Sequence, residues 1–372
     1  MLSRRRVIQG ACAVLLLVAG LMLRSDSPDP LAEARRLESR TLFPNERDDA
    51  LARARVWRAP EKPIAQASLL PKVGEEVECR FTLTELDGTT PRFRCVLGSG
   101  EEVRAKYGPG GEIPAETAAT RLLSVLGFGA DDVTLVKRLR CYGCPKSPFA
   151  TSEIVESGTA GMYEKTVDRD KFEEFEWVAL EHPFDATAIE TENWKGWAFF
   201  ELGTVDPSRG GAPREHVDAL RLLAVFLSHW DNKPDNQRLV CLTQPWPEGA
   251  LCTTPFLMLQ EVGSTFGPRK VDLAAWESAQ VWEDRFTCTL SMRDMPEGGG
   301  TFQFARVSER GREFLAGLLG ELTDAQLRDL FSGAGFDRPR PPLMRKTPVS
   351  EWVRVFRQRV RAISEGSPCP GA

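Results

Sequence analysis

An amphipathic helix that runs directly into a polar loop is the feature that most constrains this chain. Valine, leucine and alanine recur at helical spacing between Arg214 and Ser228, which predicts a helix with one buried face. The next eight residues, His229–Asn236, read H-W-D-N-K-P-D-N and bring together an imidazole, a carboxylate, an ammonium group and an amide. Because the same residue types make up ordinary polar turns, other segments of the chain must decide between a reactive loop and a plain turn.

The loop resembles the catalytic loop of protein kinases, H-R-D-x-K-P-x-N, at His229, Asp231, Lys233, Pro234 and Asn236. The resemblance implies that Asp231 accepts the proton of an attacking hydroxyl and that Asn236 binds a magnesium ion. Lys233 would stabilise the charge that develops on the transferring phosphoryl group. His229 would brace the loop as a structural residue and would carry no proton.

Three strand-like segments joined by glycine turns come earlier, at Val77–Leu83, Arg92–Leu97 and Glu102–Tyr107, and predict an antiparallel meander. The third segment contains V-R-A-K, which ends at Lys106 and resembles the V-A-I-K motif of kinases. The resemblance makes Lys106 the candidate that clamps the nucleotide phosphates. A solvent-facing strand lysine is the alternative.

A helix is predicted over Pro114–Gly127, with Glu116 in its first turn. In the kinase interpretation Glu116 pairs with Lys106, whereas in the alternative it only favours the helix N-terminus through the helix dipole. No G-x-G-x-x-G motif precedes Lys106. The turn that contains Gly88 lies where a shorter phosphate-covering loop would be.

Two further segments complete the kinase-like order. A buried strand ends in Glu261-Val262-Gly263, which resembles the D-F-G metal motif with glutamate in place of aspartate. The extra methylene group either alters magnesium binding, favours manganese or leaves the site inactive. Trp197–Leu202 predicts a second buried strand, either plain core or a hinge in which Phe200 and Glu201 contact adenine.

Composition is that of an ordinary globular protein, because 42% of the 372 residues are apolar and 27% are charged. The net charge of −5 becomes −9 without the four arginines of residues 1–24, which argues against non-specific binding to nucleic acid or to anionic membranes. Residues 1–24 join an arginine cluster to a short apolar run. They predict a secretory signal or an N-terminal anchor, and hence a periplasmic or extracellular protein that touches the membrane only through an uncleaved segment.

Eight cysteines lie outside residues 1–24, an even number that agrees with export. Turns separate Cys79 from Cys95 and Cys241 from Cys252, and both pairs are predicted disulfides. The C-Y-G-C segment at residues 141–144 is open to three interpretations: a tight disulfide, a redox pair or half of a zinc site. A pair between the remaining two cysteines, at positions 288 and 369, is one possibility, and the sequence leaves the connectivity open.

These signals together predict an α+β, two-lobed, protein-kinase-like fold with a small antiparallel-sheet lobe plus one helix and a larger, mainly helical lobe. The predicted divisions are a proline-rich linker or strap at 25–74, the small lobe at 75–196, the large lobe at 197–364 and a tail at 365–372. The resemblance is to the atypical secretory-pathway kinases, with HipA-type and phosphoinositide kinases as more distant relatives.

The resemblance implies an extracytoplasmic phosphotransferase that uses ATP with magnesium or manganese. Its acceptor is left open among a protein hydroxyl, a sugar and a lipid. The alternative is an inactive pseudokinase that binds a nucleotide or a partner in the envelope, because Glu261 replaces aspartate and the glycine-rich loop is missing. A thiol-redox protein built on the C-Y-G-C segment is a minor third interpretation, since no thioredoxin-like setting surrounds it.

Overall fold

A closed five-stranded barrel and a mixed five-stranded sheet organise the chain. The computed structural model describes residues 39–84, 88–151, 167–182, 184–296, 301–302, 305–338 and 347–370, so the predicted signal or anchor lies outside the described residues. The strands are β1 (Ser39–Thr41), β2 (Lys72–Thr82), β3 (Arg92–Leu97), β4 (Glu102–Lys106), β5 (Gly129–Ala130), β6 (Asp132–Tyr142), β7 (Phe172–His182), β8 (Thr187–Glu190), β9 (Gln237–Cys241), β10 (Pro255–Leu259), β11 (Trp282–Asp284) and β12 (Thr289–Leu290). The helices are α1 (Pro44–Ala52), α2 (Glu112–Leu126), α3 (Arg214–Leu227), α4 (Leu273–Ser278), α5 (Glu309–Gly320), α6 (Asp324–Gly333) and α7 (Val349–Ser364).

The barrel has the strand order β2-β3-β4-β7-β6 and closes through a parallel pairing of β2 with β6. Strands β2, β3 and β4 form the predicted antiparallel meander, and β3 has the predicted bounds. Alternate side chains point inward, as the two-residue period of a strand requires, and Phe81, Phe93 and Val103 are part of a separate apolar cluster inside the barrel. The barrel therefore has its own core.

Helix α2 follows the barrel strand β4 and begins two residues before the predicted start. It ends at Gly127, whose φ of 88° is the left-handed conformation that favours glycine at a helix end. Ala115, Ala118 and Leu122 bury its apolar face in the main core of the protein, outside the barrel cluster. The helix thus links the two cores and carries Glu116 to the boundary between them.

The mixed sheet has the order β1-β8-β9-β10-β5 and packs with the helices around the main apolar core. Helix α3 runs through this core and ends one residue before the predicted boundary, with Ser228 in the left-handed conformation at its C-terminus. The backbone N–H of His229 donates to the carbonyl oxygen of Ala224 at 2.8 Å. The polar loop therefore leaves the helix in a fixed direction.

Two segments differ from the sequence predictions. Residues 39–71, predicted as linker or strap, supply β1, α1 and buried side chains such as Leu51 and Leu69, because β1 pairs with β8 in the main sheet. The predicted strand at Trp197–Leu202 is wrong, since a 3₁₀ turn over Phe199–Thr204 replaces it. Its aromatic residues are typical of a buried strand, but its backbone forms a turn.

The eight cysteines form four pairs at disulfide distance, which are Cys79–Cys95, Cys141–Cys144, Cys241–Cys252 and Cys288–Cys369. The last pair ties the C-terminal tail to the body of the protein, and Cys369 is buried there. Disulfides belong to a non-reducing compartment, in agreement with the predicted export. None of the helices in the described ranges is long and apolar enough to cross a membrane.

Gly196 lies against the backbone of the polar loop, and replacing it with alanine should destabilise the fold. Its φ is +66°, and an added Cβ would lie 2.0 Å from the carbonyl oxygen of Pro234 and 2.3 Å from that of Gln237. The left-handed backbone costs about 1–2 kcal/mol and the overlap about 1–3 kcal/mol. Urea unfolding of Gly196→Ala should show a loss of about 2–5 kcal/mol.

Gly210 provides the matched control. It also has a positive φ, +91°, but an added Cβ would have no heavy atom within 4 Å. Gly210→Ala should therefore lose only the backbone contribution, about 1–2 kcal/mol. Equal losses in the two variants would show that Gly196 is not in close contact with the loop.

Candidate functional site

One cavity of about 810 Å³ lies between the barrel and the sheet. Its walls are the turn before β3, strands β3 and β4, the first residue of α2, the loop after α3 and the residues that follow β10. Five of the predicted site residues line it: Gly88, Asp231, Lys233, Asn236 and Glu261. These residues come from three separated segments of the chain, which only the fold brings together.

The loop after α3 is held by side-chain amides bonded to its own backbone. Asn236 donates a hydrogen bond through Nδ2 to the carbonyl oxygen of Asp231 at 2.6 Å. Its Oδ1 is therefore available as a metal ligand at the cavity wall. Asn232 is buried and donates to the carbonyl oxygen of His229 at 2.9 Å, while its Oδ1 accepts from the backbone N–H of Thr301 at 2.6 Å. Sequence reasoning missed Asn232, because it occupies a variable position of the motif.

His229 is fully buried and is not among the residues that line the cavity. Its Nε2 lies 3.2 Å from Nε2 of Gln237, and burial lowers the pKa of His229 to about 4. The imidazole is therefore neutral at physiological pH. A neutral, enclosed ring suits the predicted bracing role better than proton transfer.

Lys106 lies directly behind the cavity, fully buried, with its ammonium group among carboxylates. Its Nζ is 2.8 Å from Oε2 of Glu116, 2.6 Å from Oε1 of Glu181 and 2.6 Å from Oε2 of Glu261. Burial alone would lower the pKa of Lys106, but these three carboxylates outweigh it and raise the pKa. The lysine is therefore charged, and it pairs with Glu116 as the kinase interpretation requires.

Glu261 connects this buried cluster to the cavity. Its backbone has a φ of 52°, an uncommon left-handed conformation for a non-glycine residue, of the kind that clusters at functional sites. Oε1 of Glu261 is 2.6 Å from Nη1 of Arg104 and 3.3 Å from Nη1 of Arg92, while Oε2 contacts Lys106. Burial opposes ionisation, but the three cations prevail and hold the pKa of Glu261 well below its usual range.

Four charged residues of this network were not predicted from the sequence: Arg92, Arg104, Glu112 and Glu181. One signal was available, because Arg104 lies two residues before Lys106 and a strand directs such side chains to the same face. The sequence contained no signal for Arg92, Glu112 or Glu181, which reach the network only through the fold. Glu181 reaches the cluster because β7 pairs with β4 and places it opposite Arg104.

Positive charge predominates on the cavity wall. The basic residues are Arg92, Arg94, Arg104, Lys195, Lys233, Arg238 and Lys270, and the acidic residues are Glu112, Asp231, Asp235 and Glu261. Within the described ranges, neither Lys195 nor Lys233 has a carboxylate within 4 Å, so both ammonium groups are available to a ligand. A wall with seven cations and four anions is complementary to a polyanion.

Phe200 and Glu201, the predicted adenine contacts, are not among the described residues that line the cavity. Glu201 accepts from Arg47 at 2.8 Å and from the backbone N–H of Ala198 at 2.7 Å, so it closes the 3₁₀ turn. Phe200 is exposed to solvent. The contact of Phe200 and Glu201 with adenine therefore stays a prediction.

Asp131 is a buried carboxyl group next to this network, and replacing it should change the pH dependence of stability. Burial and the charge of Glu181 raise the pKa of Asp131 to about 7. The unfolded carboxyl titrates near pH 3.9, so the folded protein holds the extra proton between about pH 4 and pH 7 and loses stability as pH rises through that window. Asp131→Asn should remove this loss and be more stable than the wild type at pH 8, by about 4 kcal/mol.

Urea unfolding from pH 4 to pH 8 checks this expectation. Asp132→Asn is the control, because the neighbouring Asp132 is about half exposed and pairs with Lys72 at the surface. Its pH profile should follow that of the wild type. If the profiles of Asp131→Asn and wild type also ran parallel, the Asp131 carboxyl would not titrate in this window.

No protein-family model and no curated protein sequence matches the chain. Among solved structures, the chain is similar to the crystal structure of a Helicobacter pylori proinflammatory kinase, CtkA. The two share 8% sequence identity with a TM-score of 0.43, and the match covers 79% of this chain and 97% of that chain.

Proposed function

We propose that the chain is a phosphotransferase with a protein-kinase-like fold that acts outside the cytoplasm. The observation that carries the proposal is the convergence of Asp231, Lys233, Asn236 and Glu261 on one cationic cavity. The paired Lys106 lies directly behind Glu261. If the loop were an ordinary polar turn after a helix, nothing would require it to lie beside a strand lysine and a carboxylate from two other segments.

In this proposal Asp231 accepts the proton of the attacking hydroxyl as its oxygen forms a bond to the terminal phosphorus of the donor. The bond between that phosphorus and the bridging oxygen breaks, and the shortened phosphate leaves. Lys233 stabilises the charge on the transferring group, because its ammonium is unpaired within the described ranges. Lys106 holds Glu261 in position, and the Glu116 carboxylate holds Lys106.

The residues present fit a divalent cation of the magnesium or manganese type. Asn236 offers an amide oxygen and Glu261 a carboxylate at the same cavity wall, and both are hard oxygen donors. A bound cation would neutralise charge on the donor phosphates. Because Arg104 and Lys106 already contact both oxygens of Glu261, the carboxylate is kept charged and oriented in advance.

The same contacts favour a second candidate function, a non-catalytic binding module. A metal ion would have to share Glu261 with Arg104, Lys106 and Arg92. In a binding module, these cations would take the place of the metal and the cavity would hold an anionic ligand without reaction. The two candidates differ in whether binding depends on a divalent cation.

The acceptor is a hydroxyl group of a protein, a sugar or a lipid, as the predicted chemistry of Asp231 requires. ATP is the predicted donor. Export is inferred from the arginine cluster and apolar run of residues 1–24 and from the four disulfides.

A thermal-shift titration with ATP, in the presence and absence of magnesium or manganese, tests the proposal. A ligand at about a hundred times its dissociation constant should stabilise the protein by about 2.7 kcal/mol. The stabilisation should require the metal and be lost in Asn236→Ala. Asn193→Ala, a change at an exposed asparagine outside the cavity, is the control and should respond as the wild type does.

Binding that is equally strong without a metal, and unchanged in Asn236→Ala, would contradict the phosphotransferase and favour the binding module. No stabilisation by any combination of nucleotide and metal would contradict both uses of the cavity.

A further inference from the structure

We infer that the cavity recognises its donor through a chain of condensed phosphates and has no binding slot for a purine base. The inference rests on the proposed function and names its donor class. Tripolyphosphate and the triphosphate part of any nucleotide carry the same recognition chemistry. ATP would then be one donor among several, bound through its phosphates.

The first observation is the composition of the wall. Among the described residues that line the cavity, Trp230 is the only large apolar side chain, and all the others are charged, polar or glycine. Sites for flat organic ligands are lined mainly by hydrophobic and aromatic side chains, and bases gain much of their affinity by stacking on such faces. One indole cannot sandwich a purine, whereas the surrounding cations suit phosphates.

The second observation concerns the space between barrel and sheet. Arg104 extends from β4 on the barrel side and Arg238 from β9 on the sheet side, and both line the cavity. Arg104 is also paired with Glu181 and Glu261. These ion pairs form a layer that joins the barrel side of the cavity to the sheet side, because Glu261 follows β10.

A purine in this layer would separate charges that are now paired. Leaving a buried charge without its partner costs far more than a base regains from partial stacking. Phosphate groups have the opposite effect, because they add negative charge where the wall has more cations than anions. Lys195 and Lys233 can bind them without first giving up a carboxylate in the described part of the chain.

The backbone around Arg238 fixes this arrangement. Its Nη1 donates to the carbonyl oxygens of Asp235 at 2.7 Å and Gln237 at 2.8 Å, which anchors the side chain to the loop that carries Asp231. The guanidinium is thus held at the wall and not free to swing away from an incoming base. Phosphates passing this group would lie next to the reactive loop.

Calorimetric titrations of the full chain with magnesium or manganese and a series of ligands test the inference. The series is tripolyphosphate, ATP, GTP, CTP, AMP and adenosine. Dissociation constants of tripolyphosphate and the three nucleotides should agree within about threefold, and adenosine should not bind. AMP, with a single phosphate, should bind at least about 10-fold more weakly than tripolyphosphate.

Variants separate phosphate recognition from base recognition. Arg238→Gln should weaken tripolyphosphate and all three nucleotides by the same factor, about 10-fold, because it removes a contact that all four share. Lys137→Gln is the control, a change at a surface lysine that pairs with Glu75 outside this cavity, and should leave all four affinities unchanged.

Affinity for ATP more than about 10-fold above that for tripolyphosphate would overturn the inference, and so would competition by adenosine; the proposed phosphotransferase would survive either result. Failure of every phosphate to bind would instead contradict the proposed function together with the inference.

Discussion

Replacement of Asp231 by asparagine should lower the rate of phosphoryl transfer by about 10²–10⁴-fold, which is the usual contribution of a positioned general base. Asparagine has nearly the same shape, so the change removes the proton acceptor and little else. The loop should persist, since Asn236 bonds to the backbone carbonyl of Asp231 and not to its carboxylate. Affinity for the metal and phosphate complex should therefore stay within a few-fold of the wild type.

Asp235→Asn is the matched control. Asp235 lies in the same loop and at the same cavity wall, and its replacement removes the same negative charge four residues away. The rate should fall by much less than in Asp231→Asn. Equal losses in the two variants would mean that both carboxylates act only through the overall charge of the cavity and that Asp231 is not the base.

Replacement of Lys106 by methionine should destabilise the protein by about 3–5 kcal/mol, the cost of breaking a buried ion pair from one side. Methionine fills a similar volume but leaves the carboxylates of Glu116, Glu181 and Glu261 together without their shared cation. Metal-dependent binding of phosphates should be weakened as well, because Oε2 of Glu261 would lose its contact and only Oε1 would still be held, by Arg104 and Arg92. Urea unfolding and calorimetric titration measure the two effects.

The stability loss of Lys106→Met should depend on pH in a direction that identifies its cause. Burial and the charge of Glu181 already raise the pKa of Glu116 well above its usual range, and loss of the ammonium would raise it further, so the variant loses more stability than the wild type as pH rises. The cost should therefore be smaller at pH 5 than at pH 8. Lys72→Met, at an exposed lysine paired with Asp132, should cost less than about 1 kcal/mol at either pH.

If the stability loss of Lys106→Met did not vary with pH, its cause would be a packing defect and not repulsion among the buried carboxylates. The double variant Lys106→Met with Glu116→Gln then provides a second check. Removing one of the three carboxylates should restore part of the stability if repulsion is the cause. It should add a further loss if the defect is one of packing.

Sequence alone predicted the elements whose signals are local. Helix α3 was predicted within one residue at its end, because an apolar stripe at helical spacing specifies both the helix and its buried face. The turn residues around β3 likewise predicted its bounds. The loop after α3 was found because five of its residues match a spaced motif.

Other features depended on contacts that are distant in the chain. Glu181 carries no motif of its own, and only the pairing of β7 with β4 brings it to Lys106. Residues 39–71 have the proline content of a linker, yet β1 finds a partner in β8 and α1 packs into the main core. The strand predicted at Trp197–Leu202 is a 3₁₀ turn, because buried aromatic residues such as Trp197 and Phe199 can pack equally well in either conformation.

The central claim is that the cavity between the barrel and the sheet catalyses phosphoryl transfer. Phosphorus-31 NMR of the purified protein tests this claim most directly. The protein is incubated with magnesium or manganese and either tripolyphosphate or ATP, and the terminal phosphorus resonance is followed with time. With water as the acceptor hydroxyl, we predict that this resonance decays as inorganic phosphate appears together with pyrophosphate or ADP, at a rate that Asp231→Asn lowers by about 10²–10⁴-fold. A donor that binds but stays intact would contradict the account and identify the cavity as a binding site for polyphosphates, and equally fast decay with the Asp231→Asn variant would contradict the role of Asp231 as the base.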